Sequence, residues 1–296
     1  MPKLLVTGAA GHLGRAVIHH LLETEQVAPA DLIAGSRDLS KLSDLAAKGV
    51  EIRRVDFNDA EGLASAFAGV ERVLLISTDD LATPGGRLKQ HQAAVSAATS
   101  AGVRHLVYTS MPNPDRSLVS FAPDHLGTEK AIQQSGLAYT ILRNAWYHDN
   151  YLMGMPHNLQ VGKWFTAMGD GRITNISRDD CARAAAAALA RPAAENRILT
   201  LTGSRSLNAH EIASLVTEAT GKPLEVVPVS DEQLAQGLAG AGLPDFVVKM
   251  LVSADANVRA GYFDLVTNDF NALTGREPQS LKDFLAAHRD ALATGQ

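Results

Sequence analysis

The sequence predicts an open, doubly wound parallel α/β sheet with a smaller C-terminal α/β lobe. Three features predict it. Strand-length apolar runs alternate with helix-period segments through the first half of the chain, those runs are nearly continuous in apolar residues, and a glycine-rich turn joins the first run to the first helix. Strands buried on both faces and separated by helices pair in parallel through right-handed crossovers.

The strands are predicted at residues 3–7, 32–35, 50–55, 73–77, 105–109 and 138–142, with helices at 15–23, 39–48, 60–67, 87–101 and 124–135 between them. Gly49, Gly69, Gly102 and Gly136 each stand just before the next strand, where a helix ends most easily in a residue tolerant of positive φ. Beyond residue 143 the rhythm loosens. A helix is read at 178–190, a strand at 198–202, helices at 209–220, 231–239 and 281–287, and a short strand between Pro223 and Pro228. The expected division is 1–143 for most of the nucleotide-binding domain and 144–296 for most of a lobe that closes over the carboxyl ends of the strands, some of its segments returning to the first domain.

Composition narrows the function classes. The chain has 296 residues, 46% of them hydrophobic and 20% charged, which suits a globular core and excludes disordered and collagen-like classes. A net charge of −5 with scattered Lys and Arg offers no basic stripe, so direct nucleic-acid binding is not expected. One cysteine, Cys181, cannot form an internal disulfide and reads as a small core residue; with no export signal visible at the N-terminus, a cytoplasmic location is expected. No apolar run reaches the length of a membrane span. The ten histidines are dispersed without metal-ligand spacing, and no metal is expected.

Thr7-Gly8-Ala9-Ala10-Gly11-His12-Leu13-Gly14 lies between the first strand and the first helix. Glycines at this spacing make the turn tight, let the backbone approach a pyrophosphate and let the helix pack on the strand, while the helix N-terminus offers free N–H groups to the anion. Gly8, Ala10, Gly11, His12, Leu13 and Gly14 are therefore candidate dinucleotide contacts. The second strand ends in Gly35-Ser36-Arg37, with no acid for a ribose 2′-hydroxyl; Ser36 and Arg37 suit a 2′-phosphate and favour NADPH over NADH, while Asp38 is read as a helix cap. Asp56 and Phe57 end the third strand near the expected adenine edge, although Asp56 also suits a turn. Ile76, Ser77 and Thr78 after the fourth strand and Thr109 at the end of the fifth are expected near the ribose and nicotinamide.

Together with His125-Leu126-Gly127-Thr128-Glu129-Lys130 and Leu142-Arg143-Asn144-Ala145-Trp146-Tyr147, these segments resemble the NmrA-like, atypical short-chain dehydrogenase family. The likeness spans nearly the whole chain. It implies a Rossmann domain that binds NADP(H) and a small lobe closing a hydrophobic acceptor pocket. Ordinary short-chain dehydrogenases use Tyr-x-x-x-Lys to protonate a carbonyl oxygen, yet the residues four places after Tyr108, Tyr139, Tyr147, Tyr151 and Tyr262 are Pro112, Arg143, Tyr151, Met155 and Val266. With Glu129 in the family's acidic position, the dyad sites hold Phe121 and His125.

A quinone accepts hydride to give a stabilised phenolate that solvent can protonate, and a cationic dye carbon needs no proton. Loss of the dyad therefore favours hydride transfer from NADPH to a quinone-like acceptor, with no flavin expected. His125 is expected beside the nicotinamide ribose or acceptor. Asn144, Trp146, Tyr147 and Asn150 are expected in the pocket wall, with Asn144 and Tyr147 as partners of a quinone oxygen. The alternatives are an NADP(H)-binding redox sensor that regulates a protein partner, or a reductase of another acceptor such as a triphenylmethane dye. The sequence leaves a homodimer open.

Overall fold

The computed structural model describes residues 2–192 and 194–294; Met1, Ala193, Gly295 and Gln296, which the domain division above includes, lie outside the described residues. The first half runs β1 (Leu4–Val6), α1 (His12–Glu23), β2 (Leu32–Ser36), α2 (Ser43–Ala47), β3 (Glu51–Arg54), α3 (Ala60–Phe67), β4 (Arg72–Leu75), α4 (Gly86–Ser100), β5 (His105–Ser110), α5 (Ala122–Gln134) and β6 (Ala138–Asn144). The second continues with β7 (Trp146–Tyr147), α6 (Tyr151–Val161), β8 (Lys163–Thr166), β9 (Asn175–Ile176), α7 (Arg178–Ala190), β10 (Arg197–Leu201), α8 (Ala209–Thr220) and β11 (Glu225–Pro228). Helices α9 (Asp231–Gly240), α10 (Asp245–Arg259), α11 (Asp269–Thr274), α12 (Leu281–Ala287) and α13 (Arg289–Thr294) complete it.

Seven strands form one parallel sheet in the order β10-β6-β5-β4-β1-β2-β3. The order reverses between β1 and β4, where an open α/β sheet leaves its ligand crevice. Alternate residues of the strands feed two cores. Leu4, Val6, Leu32, Ala34, Leu74, Val107 and Leu142 pack with α1 and α7, whereas Leu5, Ile33, Val73, Leu75, Leu106, Tyr108 and Ile141 pack with α3, α4 and α5. Both sides of each strand are thus covered, which is why the runs read as continuously apolar; full burial of each Leu, Ile or Val stabilises by about 1.5–3 kcal/mol. Helix α7 approaches closely because its inner surface is almost wholly alanine, Ala184 to Ala188, with Cys181 buried among them. Chain from the second half thus returns to the first core, β10 extending the sheet beside β6.

The remaining elements form a third core of Met155, Leu159, Ile212, Val216, Phe263, Phe284 and Leu285, joined by Met111 and Val119 from the segment after β5. This core stands at the carboxyl ends of the strands, with the two-stranded ribbons β8–β11 and β7–β9 at its margin.

The predicted helix at 39–48 is divided into a 3-10 turn, Leu39–Leu42, and α2, because Asp38 caps the turn by accepting Ser40 N–H at 3.0 Å. The first helix starts earlier than predicted, at His12, since the glycine turn runs into it without a break. Helices α6 and α10, and the short α11 and α13, were not predicted. The α6 segment carries Gly154 and Pro156, and the buried side of α10, Val248, Ala254, Asn257 and Val258, is interrupted by a small and a polar residue. Among the described residues no helix is long and apolar enough to cross a membrane.

Candidate active site

The loops after β1, β2, β3 and β4 open onto one cavity of about 400 Å³ at the switch point. Gly8 turns the chain at φ +63°, a left-handed conformation that side chains disfavour. A Cβ on Gly14 would overlap the Gly8 carbonyl and stand 2.8 Å from Ala9 Cα, so only glycine lets α1 lie this close to the strand. The N-terminus of α1 has no side-chain cap and no acid in its first turn, and Gly11, His12, Leu13 and Gly14 line the cavity. An uncapped helix end facing a cavity is a fitting cradle for a pyrophosphate.

Ser36 and Arg37 form the next stretch of wall. Ser36 Oγ accepts Asp38 N–H at 3.2 Å, and Asp38, engaged with Ser40, has its carboxyl held below the usual range by those hydrogen bonds. Arg37 is 69% exposed and approaches Asp79 only to 3.8 Å, leaving its guanidinium available to an incoming anion. Asp56 and Phe57 also line the cavity, Asp56 closing a turn through Asn58 N–H at 3.1 Å.

Three successive N–H groups after β4 are taken up by side chains. Ile76 N–H donates to Thr7 Oγ1 at 3.0 Å, Ser77 N–H to Thr109 Oγ1 at 2.9 Å and Thr78 N–H to His91 Nε2 at 3.0 Å. These bonds end the strand earlier than the sequence predicts and fix Ile76, Ser77 and Thr78 on the cavity wall. Thr109 differs from its expected placement: it is buried behind Ser77 and braces that loop, because its hydroxyl is used by the backbone.

Beyond β6, Asn144 Nδ2 donates to Tyr147 Oη at 3.0 Å. Burial pushes the Tyr147 hydroxyl above its ordinary pKa, so it stays a hydrogen-bond donor at neutral pH. Trp146 lies parallel to Phe121 at 6.4 Å and meets Phe263 at 5.7 Å, an aromatic wall at the lobe junction. Asn150 begins α6 without a capping bond, while Tyr151 Oη donates to Asn175 Oδ1 at 3.0 Å behind the wall.

His125, expected beside the nicotinamide ribose or acceptor, meets the Phe121 ring edge-on at 5.7 Å and is bonded within the chain at both ring nitrogens. It is 3% exposed, with Nε2 3.0 Å from Arg87 Nη2 and Nδ1 2.8 Å from Tyr108 Oη. Arginine can only donate, so Nε2 accepts and Nδ1–H donates to Tyr108. Burial and the nearby guanidinium hold the imidazole neutral, its pKa well below the ordinary value. Both ring nitrogens of His125 are thus engaged within the chain, Nε2 by Arg87 and Nδ1 by Tyr108. His91 is fixed in the same way: Nε2 accepts Thr78 N–H, and Nδ1 donates to Thr128 Oγ1 at 2.9 Å.

Sequence reasoning missed Arg87, Gln90 and His91. They occupy the buried stripe of α4, which continues through Ala94, Val95 and Ala98 at helical spacing. Three polar residues at the head of an apolar stripe were the available signal. Gln90 lies on the cavity wall with Nε2 donating to Asp80 Oδ2 at 3.1 Å, and its buried Oε1 has no partner. The family motif has a structural role: Glu129 accepts Ser110 Oγ–H at 2.6 Å and grips Arg143 through contacts of 2.9 and 2.7 Å. At the start of α8, Glu211 closes a capping box with Asn208. Among the described residues no group of three His, Cys, Asp or Glu side chains could hold a metal ion.

A family model described as NAD(P)H-binding matches residues 8–192. Quinone oxidoreductase 2 of Escherichia coli strain K12 is 37% identical over 262 residues, which is 88% of this chain and 90% of that protein. The crystal structure of an NADPH-dependent quinone oxidoreductase from Escherichia coli complexed with NADPH superposes with a TM-score of 0.91 at 34% identity, covering 96% of this chain and 99% of that one. The triphenylmethane reductase of a Citrobacter species complexed with NADP(H) gives a TM-score of 0.91 at 33% identity, covering 97% of this chain and 100% of the other.

Proposed function

The chain belongs to the NAD(P)H-binding, NmrA-like family and is an NAD(P)H-dependent oxidoreductase, and from that premise we propose that it reduces quinone-like acceptors with NADPH, without flavin. The state of Tyr147 carries the reading. Asn144 supplies its hydroxyl oxygen with a hydrogen bond, leaving the hydroxyl proton without an acceptor among the described residues, and the adjacent residue, Trp146, belongs to an aromatic wall that suits a flat ring. A quinone oxygen would take that hydrogen bond.

NADPH, when bound, supplies the hydride. The chain's own contribution is binding and alignment: the α1 N-terminus holds the pyrophosphate, Arg37 the 2′-phosphate, and the braced loop at 76–78 the ribose. The aromatic wall orients the acceptor and excludes water from its face, and Tyr147 polarises the oxygen on which charge develops. No residue has to deliver a proton to a strongly basic alkoxide, so the Tyr-x-x-x-Lys pair is dispensable. The same reading assigns most of residues 1–143 to cofactor binding and most of 144–296 to the acceptor, and it suits a cytoplasmic enzyme. A steady-state panel of benzoquinones, naphthoquinones and a triphenylmethane dye, each with NADPH and NADH, tests it. Quinone-dependent oxidation that favours NADPH is the expected result. Tight NADPH binding with no oxidation by any acceptor would replace the reading with that of a sensor.

A further inference from the structure

Arg87 is a buried cation without a counter-ion. It is 5% exposed, and its hydrogen bond within the chain is the one from Nη2 to neutral His125; Nε is buried with no partner. Among the described residues no carboxylate lies within ion-pair distance of it. Asp79 pairs instead with Arg37, Asp80 holds Gln90, and Asp124 acts on Arg87 only from farther away. Arg87 also occupies the first turn of α4, the positive end of the helix dipole. Its guanidinium lies 4.9 Å over the ring of Phe121, which offsets part of the cost, but a desolvated charge with N–H groups to spare remains complementary to an anion. Phe121 also stacks on Trp146 and meets His125 edge-on at 5.7 Å, so the cation and the aromatic wall are one structure.

We propose that Arg87 is a catalytic anion-binding group that holds the oxygen on which negative charge appears when an aromatic acceptor is reduced. The assignment rests on the quinone reading above. In that reaction a quinone receives hydride from NADPH, which leaves as NADP⁺. The hydrogen joins one carbonyl oxygen, the ring becomes aromatic, and the electron pair of the other carbonyl moves onto its oxygen, giving a hydroquinone monoanion. Arg87 stabilises that anion until water protonates it. His125 is a positioning residue: its neutral Nε2 orients the guanidinium, and a protonated imidazole there would repel it. Of the other ionisable groups in this surround, Tyr108 and Tyr147 remain neutral hydroxyls, His91 is held neutral by burial, and the carboxylates of Asp79 and Asp124 act from beyond ion-pair distance. A cationic dye gains no negative charge on reduction, so Arg87 does nothing for it and opposes its approach.

The test uses the full-length protein and two readouts. In the first, 4-nitrophenol is titrated with pH in the presence of wild type, R87Q or R87K, each saturated with NADP⁺, and its ionisation is followed by absorbance. Wild type should lower the bound phenol's pKa by about one unit or more beyond R87Q, whose remaining shift comes from Tyr147 and NADP⁺, with R87K falling between them. In the second, R87Q should lower kcat for a naphthoquinone at least tenfold while the Kd for NADPH shifts less than twofold, and the ratio of dye to quinone turnover should rise. Far-UV circular dichroism and the NADPH Kd establish that each variant is folded; R87K keeps the volume and charge if R87Q does not fold. A wild type that leaves the phenol's ionisation unchanged, or an R87Q protein that lowers it as far as wild type does, overturns the assignment. So does equal loss of quinone and dye reduction. If wild type oxidises NADPH with no quinone, the quinone reading falls, whereas the phenolate titration still decides whether Arg87 binds an anion.

Discussion

Asn144 donates its side-chain N–H to Tyr147 Oη at 3.0 Å, three residues on and just past the end of the central sheet. The bond fixes which way the Tyr147 proton points and makes the two residues one unit. Tyr147→Phe should lower quinone kcat by about 100- to 1,000-fold, the range for removing one preorganised donor, with NADPH affinity unchanged. Asn144→Ala should lower it by a smaller factor, and the double variant should cost less than the product of the two. Steady-state kinetics with a fluorescence titration of NADPH checks this, and unchanged turnover in both single variants removes the pair from the mechanism.

Cofactor choice is assigned to Arg37. Because this side chain is exposed and its approach to Asp79 is loose, Arg37→Ala should raise the Kd for NADPH about tenfold, near 1.4 kcal/mol, and leave NADH binding unchanged. The loss should shrink as salt is raised. An equal shift for both cofactors would show that Arg37 does not read the 2′-phosphate.

Gly14→Ala tests the close approach of α1. The added Cβ must displace Gly8 or Ala9 backbone, so the variant should lose NADPH binding and melt at lower temperature by several degrees, matching about 1–3 kcal/mol of overpacking. Retention of wild-type affinity would mean that the turn is more adaptable than its geometry implies.

Much of this was legible in the sequence, for reasons visible in particular residues. The strand runs were readable because helices cover both sheet faces, and Gly49, Gly69, Gly102 and Gly136 all adopt positive φ as their positions before the strands suggest. Thirteen of the fourteen proposed cofactor contacts line the cavity, since a turn at a strand's carboxyl end has little choice of direction. Thr109 differs because a hydroxyl's partner depends on a neighbouring loop, here at Ser77, that no local pattern encodes. The same applies to His125. Its proximity to Arg87 spans 38 positions and is created by α4 packing on α5, which the sequence does not display.

Acid should destabilise the protein earlier than its carboxylates alone would. Burial, with Arg87 adding to it, lowers the pKa of His91 from 6.5 to about 3, and burial lowers that of His148 to about 4. Above pH 6.5 these groups are neutral in both states and impose no penalty. Below it the unfolded chain takes up protons that the folded chain refuses, so stability falls with pH by up to about 1.4 kcal/mol per unit per histidine until the folded pKa is reached. Urea denaturation between pH 7 and pH 4.5 should show this slope, and His148→Gln should reduce it. A flat profile over that interval would contradict the buried, neutral state of both rings.

A single turnover separates a hydride-transferring enzyme from a protein that only binds NADPH. Flavin-free protein loaded with one equivalent of NADPH is mixed anaerobically with excess naphthoquinone while absorbance at the NADPH band is followed. Rapid loss of the bound NADPH signal with one equivalent of hydroquinone formed is the expected result, with a far slower reaction in Tyr147→Phe. Persistence of bound NADPH in the presence of quinone, or a requirement for added flavin, would contradict direct hydride transfer.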